Sequence, residues 1–271
     1  MATIKANGIE IYYEVTGNDS PLTLIMGLGC SSRQWKWMVP LLAESFHVIT
    51  FDNRGVGRTS KPDMEYTTDL FAEDTYALLN ILGIEKTHIF GASVGGMIAQ
   101  KFALKYPEMV DRLILGCTMP NFYHLPPREE DSQRLQESQL LPLEKSVELM
   151  MGLFLTEHFF KENPDQAAKL KEIMLIEKEE QGEDAFLGQL GAAMNHNTLE
   201  QVKNIEVPTL VITGELDPMA PVGNARFLAE KIPNSTLVEI PRMRHAFWVE
   251  RFEESCDIII KFLSYYIKRI K

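Results

Sequence analysis

Cysteine is scarce in this chain, with three thiols in 271 residues at positions 30, 117 and 256. They are far apart, odd in number and free of C-x-x-C spacing, so they suggest neither a disulfide framework nor a zinc cluster. Positive charge is short as well. Lys and Arg number 27 against 38 Asp and Glu, a formal net charge of −11, and such a surface repels nucleic acid and anionic membrane. No uncharged apolar run approaches the ~18 residues of a membrane span, and the first residues carry no apolar stretch of signal-peptide length. A folded protein of a reducing, cytoplasmic compartment is expected, with no nucleic-acid partner and no membrane partner.

What is present is ordinary globular material. Hydrophobic residues make up 45% of the chain and Gly and Pro number 17 and 14, with no internal repeat and no Gly/Ser tract. Residues 9–15 alternate on a period of two, and the short apolar runs 22–26 and 47–51 have the look of buried strands, with helical spacing over 35–44 between them. The pattern continues with a helix over 68–82, a strand at 88–90, a helix over 95–106 and a strand at 113–115. Strand and helix in alternation predict a mostly parallel sheet with helices on both faces.

From residue 121 to residue 197 the strand rhythm stops, and only helical stretches such as 146–154 and 165–180 occur between Pro-containing breaks. Alternation then resumes with a strand at 209–213, a helix over 222–231, a strand at 236–240 and a final helix over 252–268. The expected organisation is an α/β core of residues 1–120 and 198–271, interrupted by a helical insert at 121–197. That insert holds 15 acidic and 7 basic residues, most of the chain's net charge, and the expectation is that these are the solvated faces of surface helices.

One motif carries chemistry. Phe90 runs into Gly91-Ala92-Ser93-Val94-Gly95-Gly96 and then into a helical pattern, which is G-x-S-x-G in the strand-turn-helix setting that gives it meaning. A sharp turn there lifts Ser93 above the C-terminal edge of the sheet, and a side chain at Gly91 or Gly95 would crowd helix against strand. A serine hydroxyl needs a base to take its proton and the base needs a carboxylate to orient it. Of the six histidines, His47 and His88 begin strands and His124, His158 and His196 fall in the insert. His245, in the loop after the last strand, is the candidate base. Glu215 and Asp217 both follow the 209–213 strand, and Asp217 is preferred because the chain order Ser, Asp, His is that of the nucleophile-elbow fold.

On these motifs, together with Gly27-x-Gly29 and Asp52-Asn53-Arg54-Gly55-Val56-Gly57, the chain resembles the α/β-hydrolase superfamily over nearly its whole length. The likeness is to the small capped members, which include carboxylesterases, 3-oxoadipate enol-lactonases and C–C bond hydrolases. The resemblance implies an eight-stranded sheet, a helical cap at 121–197 and an oxyanion hole made by the backbone N–H groups of Leu28 and Val94. The family commonly places His before the glycine of the first loop, where this chain has Met26. Gly27-x-Gly29 followed by Asp52 also invites a dinucleotide-binding reading, but Ser32 stands where the third glycine belongs, and Trp35 and Trp37 crowd the helix. Asp52 and Arg54 are expected to brace loops beneath the site. Met119, Met150, Met151, Phe154 and Met194 fall in or beside the insert, and thioether side chains fill irregular apolar space. Gly27, Met119, Phe154, Met194 and Phe247 are the expected substrate contacts.

The expectation is therefore a serine hydrolase without metal or cofactor, cleaving small-molecule carboxylic esters of short to medium acyl chains. Enol-lactone, C–C and acyl-thioester hydrolysis are the alternatives within the fold, and a ligand-binding protein with an idle triad is the alternative outside enzymology.

Overall fold

The computed structural model describes residues 2–264, so the end of the expected final helix, 265–268, lies outside the described residues. Eight strands form one sheet: β1 Ala2–Ala6, β2 Ile9–Thr16, β3 Ser20–Ile25, β4 Phe46–Phe51, β5 Thr87–Ala92, β6 Val110–Gly116, β7 Thr209–Gly214 and β8 Ser235–Ile240, in the order 1-2-4-3-5-6-7-8. The contacts β1–β2 and β2–β4 are antiparallel and the remainder parallel. The sheet is mostly parallel, as the alternation predicted. Strand β1 is not among the runs read individually from the sequence, although residues 2–6 alternate on a period of two; it supplies the eighth strand that the resemblance implies.

The helices are α1 Met38–Leu42, α2 Thr68–Ile81, α3 Val94–Lys105, α4 Glu129–Leu140, α5 Leu143–Phe154, α6 Glu157–Glu162, α7 Pro164–Gln181, α8 Glu183–Met194, α9 Val222–Lys231, α10 Phe247–Glu250 and α11 Phe252–Ser264. The helix expected over 35–44 is instead a 3₁₀ turn, Ser32–Trp37, followed by the short α1. Pro40 has no N–H to donate and is tolerated only in a first turn, so the longer α-helix is broken there.

Alternate residues of each central strand go to opposite faces. Ile25, Ile49, Ile89, Leu113 and Val211 pack on one side, and Leu24, Val48, Phe90, Ile114 and Ile212 on the other. Both faces are apolar because helices cover both, which is why these strands read as continuous hydrophobic runs.

Strands β6 and β7 pair directly, although α4–α8 intervene in sequence. The two chain ends of this insert meet at its base. Asn121 and Asn197 form an isolated antiparallel bridge, and Thr198 N–H donates to the Pro120 carbonyl at 2.8 Å. Beside that neck His196 is almost fully buried, its Nδ1 3.0 Å from the Thr68 hydroxyl and its Nε2 3.3 Å from that of Thr198.

Burial pushes the His196 imidazolium down to about 3, well under its ordinary value. A histidine whose folded pKa is depressed contributes stability that is complete above its unfolded pKa and lost as pH falls below it. The urea midpoint should therefore drop between pH 7 and pH 5, and His196→Gln should show a smaller drop. Equal pH dependence in the two proteins would contradict this account.

Candidate active site

Strand β5 ends at Ala92 and α3 begins at Val94, leaving a single residue for the reversal. Ser93 takes it with φ 57° and ψ −122°, a region costly to a residue with a Cβ and met mainly at functional sites. Ser93 N–H donates to the Gly116 carbonyl at 2.8 Å, and its own carbonyl accepts from the Thr118 hydroxyl at 2.7 Å, so neighbouring β6 pins the turn. The crowding expected from the glycines is severe. A Cβ at Gly91 would stand 2.2 Å from the Gly95 carbonyl oxygen, and one at Gly95 would stand 2.1 Å from that of Ile25.

Asp217 follows β7 and His245 lies in the loop between β8 and α10. Both are buried, and His245 Nδ1 lies 2.8 Å from Asp217 Oδ2 and 2.9 Å from Oδ1. Asp217 Oδ1 also accepts the N–H groups of Met219 and Ala220, at 2.8 and 2.9 Å. A carboxylate only accepts, so Nδ1 carries the imidazole proton and Nε2 is left as the basic atom. Glu215, the rejected alternative, turns to the surface and accepts the Arg242 N–H at 3.0 Å. The imidazole is walled by Phe154 and Trp248, with ring centroids 5.4 and 5.8 Å away. Among the described residues Ser93 and His245 share no direct hydrogen bond; they face the same cavity.

That cavity, of about 110 Å³, is bounded by Gly27, Leu28, Ser93, Val94, Met119, Phe154 and His245, among others. Met26, Met97, Met150, Met151, Met174 and Met219 also contribute to its wall. No Asp, Glu, Lys or Arg lines it among the described residues. Gly27 lies close under the serine, at a position where a Cβ would be 2.9 Å from Ser93 Cβ. Leu28 is the second residue of a turn closed by Cys30 N–H to the Gly27 carbonyl at 3.3 Å, and its N–H has no acceptor among the described residues. Val94 begins α3, so its N–H likewise lacks an intrahelical partner. With Met26 in place of histidine, the loop is braced by Asn53, whose Nδ2 donates to the Met26 carbonyl at 2.8 Å.

Two expected substrate contacts are corrected. Phe247 opens α10 and is buried against Trp248 and the sheet, in the core behind the cavity wall. Met194 ends α8 away from the cavity, and Ala193 takes the lining position one residue earlier. Phe122, in the turn after the neck, and Phe186, on α8, line it instead; their aromatic character was visible in the sequence, but the path of that turn and the face of α8 that looks inward were not. Asp52 and Arg54 lie off the cavity. Asp52 accepts from Ser32 and Arg58, and Arg54 makes bonds of 2.8 and 2.6 Å to Asp74.

Ligand atoms of Cys117, Asp217 and His245 lie within 4.8 Å of one another, a grouping that could in principle hold a metal ion. Two of the three are already engaged with each other, His245 Nδ1 with Asp217, and burial together with the adjacent Asp217 raises the pKa of the Cys117 thiol. All three cysteines are free thiols, and no helix among the described residues is long and apolar enough to cross a membrane.

Residues 21–251 match the family described as alpha/beta hydrolase fold. This chain is an α/β-hydrolase. It is similar to 3-oxoadipate enol-lactonase 2 of Acinetobacter baylyi, 26% identical over 265 residues that cover 96% of each protein. Among solved structures, this α/β-hydrolase shares its fold with an enol-lactonase from Burkholderia xenovorans LB400 (TM-score 0.86, 22% identity, 97% of this chain and 100% of the other). It is also similar to a thermophilic esterase from Thermogutta terrifontis (TM-score 0.82, 26% identity, 97% of each chain).

The close approach at Gly95 gives a stability prediction. Gly95→Ala should lose ~2 kcal/mol or more, since a methyl must displace backbone and overpacking of this kind costs 1–3. Gly152→Ala, on α5 where a Cβ meets nothing within 4 Å, should be neutral or gain up to ~1 kcal/mol from helix propensity. Denaturant midpoints of the two variants give the comparison, and equal effects would overturn it.

Proposed function

We propose that this α/β-hydrolase is a serine carboxylesterase acting on neutral, apolar acyl esters of short to medium chain length. The observation that carries the reading is the cavity. Its wall brings Ser93, His245 and the residues bearing two unpaired N–H groups to one apolar space with no charged side chain. Ser93 Oγ attacks the ester carbonyl while His245 Nε2 takes its proton, and Asp217 keeps the proton on Nδ1 and stabilises the imidazolium. Leu28 N–H and Val94 N–H receive the charge that develops on the carbonyl oxygen, a term worth ~10²–10³ in rate per donor. His245 then returns its proton to the leaving alkoxide. Water repeats the sequence on the acyl-enzyme, releasing the acid.

The helices α4–α8 act as a cap, and the acyl chain lies among Met119, Phe154 and the other methionines, which adapt to variable chains. Enol-lactone hydrolysis is the neighbouring reading, supported by the Acinetobacter baylyi relative. A substrate bearing a second carboxylate would have to bury that charge where no Lys or Arg meets it. The apolar wall therefore favours the ester.

Ser93→Ala should leave the melting temperature unchanged and reduce turnover of a p-nitrophenyl ester by ~10⁴-fold or more. Retained turnover would refute the nucleophile assignment. Each buried methylene contributes up to ~0.8 kcal/mol, so KM should fall several-fold per carbon pair until the cavity is full, after which kcat/KM declines. A dicarboxylate monoester should be poorer than the neutral ester of equal length at low and high salt. The reverse order would favour the lactonase reading.

A further inference from the structure

The cap carries one carboxylate that the chemistry above does not use. Glu177, near the C-terminal end of α7, is almost fully buried, whereas 13 of the 15 acidic residues of the insert are exposed. Its Oε1 accepts the Ser31 N–H at 2.7 Å and the Ser31 hydroxyl at 2.6 Å, and its Oε2 accepts from Gln34 Nε2 at 2.7 Å. One helix further on, Gln189 Oε1 accepts the Gly29 N–H at 2.9 Å, while its Nε2 donates to the Arg54 carbonyl at 2.8 Å. Gln181 donates to Gln189 Oε1 and to the Gly55 carbonyl.

The backbone donors of the loop after β3 can be followed one by one. Ser32 N–H goes to Asp52 of the core, and Cys30 N–H goes to Gly27 within the turn. Gly29 and Ser31 N–H go to cap side chains, and Leu28 N–H alone of residues 28–32 is left free. The core thus holds the loop at Met26 and Ser32, and the stretch between is held from above. Packing alone would be served by an apolar side chain, since burying an ion is costly. A carboxylate there is explained by the three donors that converge on it.

We propose that Glu177 and Gln189 are positioning residues of the oxyanion hole: by taking the Ser31 and Gly29 N–H groups they set the turn that presents Leu28 N–H, so the hole is complete only with the cap seated. This rests on the serine-hydrolase reading of the site. With the cap displaced, Gly29 and Ser31 N–H would turn to water and the turn would lose its fixed orientation, lowering the rate with little effect on binding of the acyl chain.

The charged and titratable neighbours of Glu177 are Asp52 from the end of β4, itself bound by Arg58, and Arg33 and Cys30 from the loop, with Arg33 paired to Glu180. Burial pushes the Glu177 carboxyl up to about 7; the Asp52 charge adds to this, and the Ser31 and Gln34 hydrogen bonds oppose it. Protonation turns one accepting oxygen into a donor, so a donor that now meets the carboxylate loses its acceptor as pH falls through that value. Loop positioning should therefore weaken on the acid side.

The test uses the full chain with Glu177→Gln and Gln189→Met, and Glu179→Gln, an exposed position on the same helix, as a control. Turnover of p-nitrophenyl butyrate is compared with inhibition by a trifluoromethyl ketone, whose tetrahedral adduct on Ser93 carries the oxyanion. Loss of a whole oxyanion donor costs ~10²–10³ in kcat, so misplacing one should lower kcat by ~10–100-fold with KM changed less than about threefold. The ketone should weaken by the same factor as kcat. Protonation of the base lowers kcat in both proteins, and wild-type kcat should carry in addition an acid-side loss near pH 7 that Glu177→Gln lacks. The proposal is overturned by kcat within about twofold of wild type, by a rise in KM alone, by an equal effect of Glu179→Gln, or by loss of fold in both test variants. Failure of the underlying reading looks different: the wild type itself would leave the ester intact and Ser93 would resist a fluorophosphonate label.

Discussion

The contact between α3 and the sheet is the constraint on which the site depends. Gly95 lies so close to the Ile25 carbonyl, and Gly91 to that of Gly95, that helix and strand backbones touch where the chain turns at Ser93. This nearness aligns the start of α3 and its free N–H groups with the end of β3, and thereby brings Val94 and Leu28 to one cavity wall. The strained backbone at Ser93 is held by bonds to β6 and not by its own preference. Stability invested in the sheet holds the serine at its edge, facing the cavity.

A second layer of constraint comes from the insert, which grips both loops at the cavity. Phe154 accepts the Ala246 N–H with its carbonyl at 2.9 Å, and Arg244 donates to the Gly152 carbonyl, so the last turn of α5 holds the loop carrying His245. Helices α7 and α8 hold the loop carrying Leu28 through Glu177 and Gln189. The insert therefore does more than roof the site. It shares in the placement of His245 and of Leu28, and its own ends meet at the neck beside Asn121 and Asn197.

Electrostatics divides along the same boundary. The acidic side chains of the insert are overwhelmingly solvated, and the cavity beneath is lined by thioether, aromatic and aliphatic groups. Net charge here describes the outer surface and its solubility; the polarity the substrate meets is set by the inner face of the helices. Ion pairs that are buried, such as Arg54 with Asp74, are bidentate and brace loops away from the cavity.

The sequence by itself determined seven of the eight strands, most of the core helices, the helical character of the insert and that Ser93, Asp217 and His245 follow strand ends, because each rests on a local signal: period-two or short apolar runs, the glycine spacing of a one-residue turn, a carboxylate and a histidine just past consecutive strands. It did not determine which insert residues reach the cavity. Phe247 and Met194 were expected there and are absent from its wall, while Phe122, in a turn, and Phe186, on α8, are present, since a helix's inward face and a turn's path follow from how neighbouring elements pack and not from composition. Glu177 left a trace, a charge continuing the apolar stripe of Leu170, Ile173 and Met174, but its meaning lay in Ser31 and Gln34, which are distant in sequence. Only the tertiary structure joins such pairs, because hydrogen bonds between segments 146 residues apart are set by how the chain closes on itself.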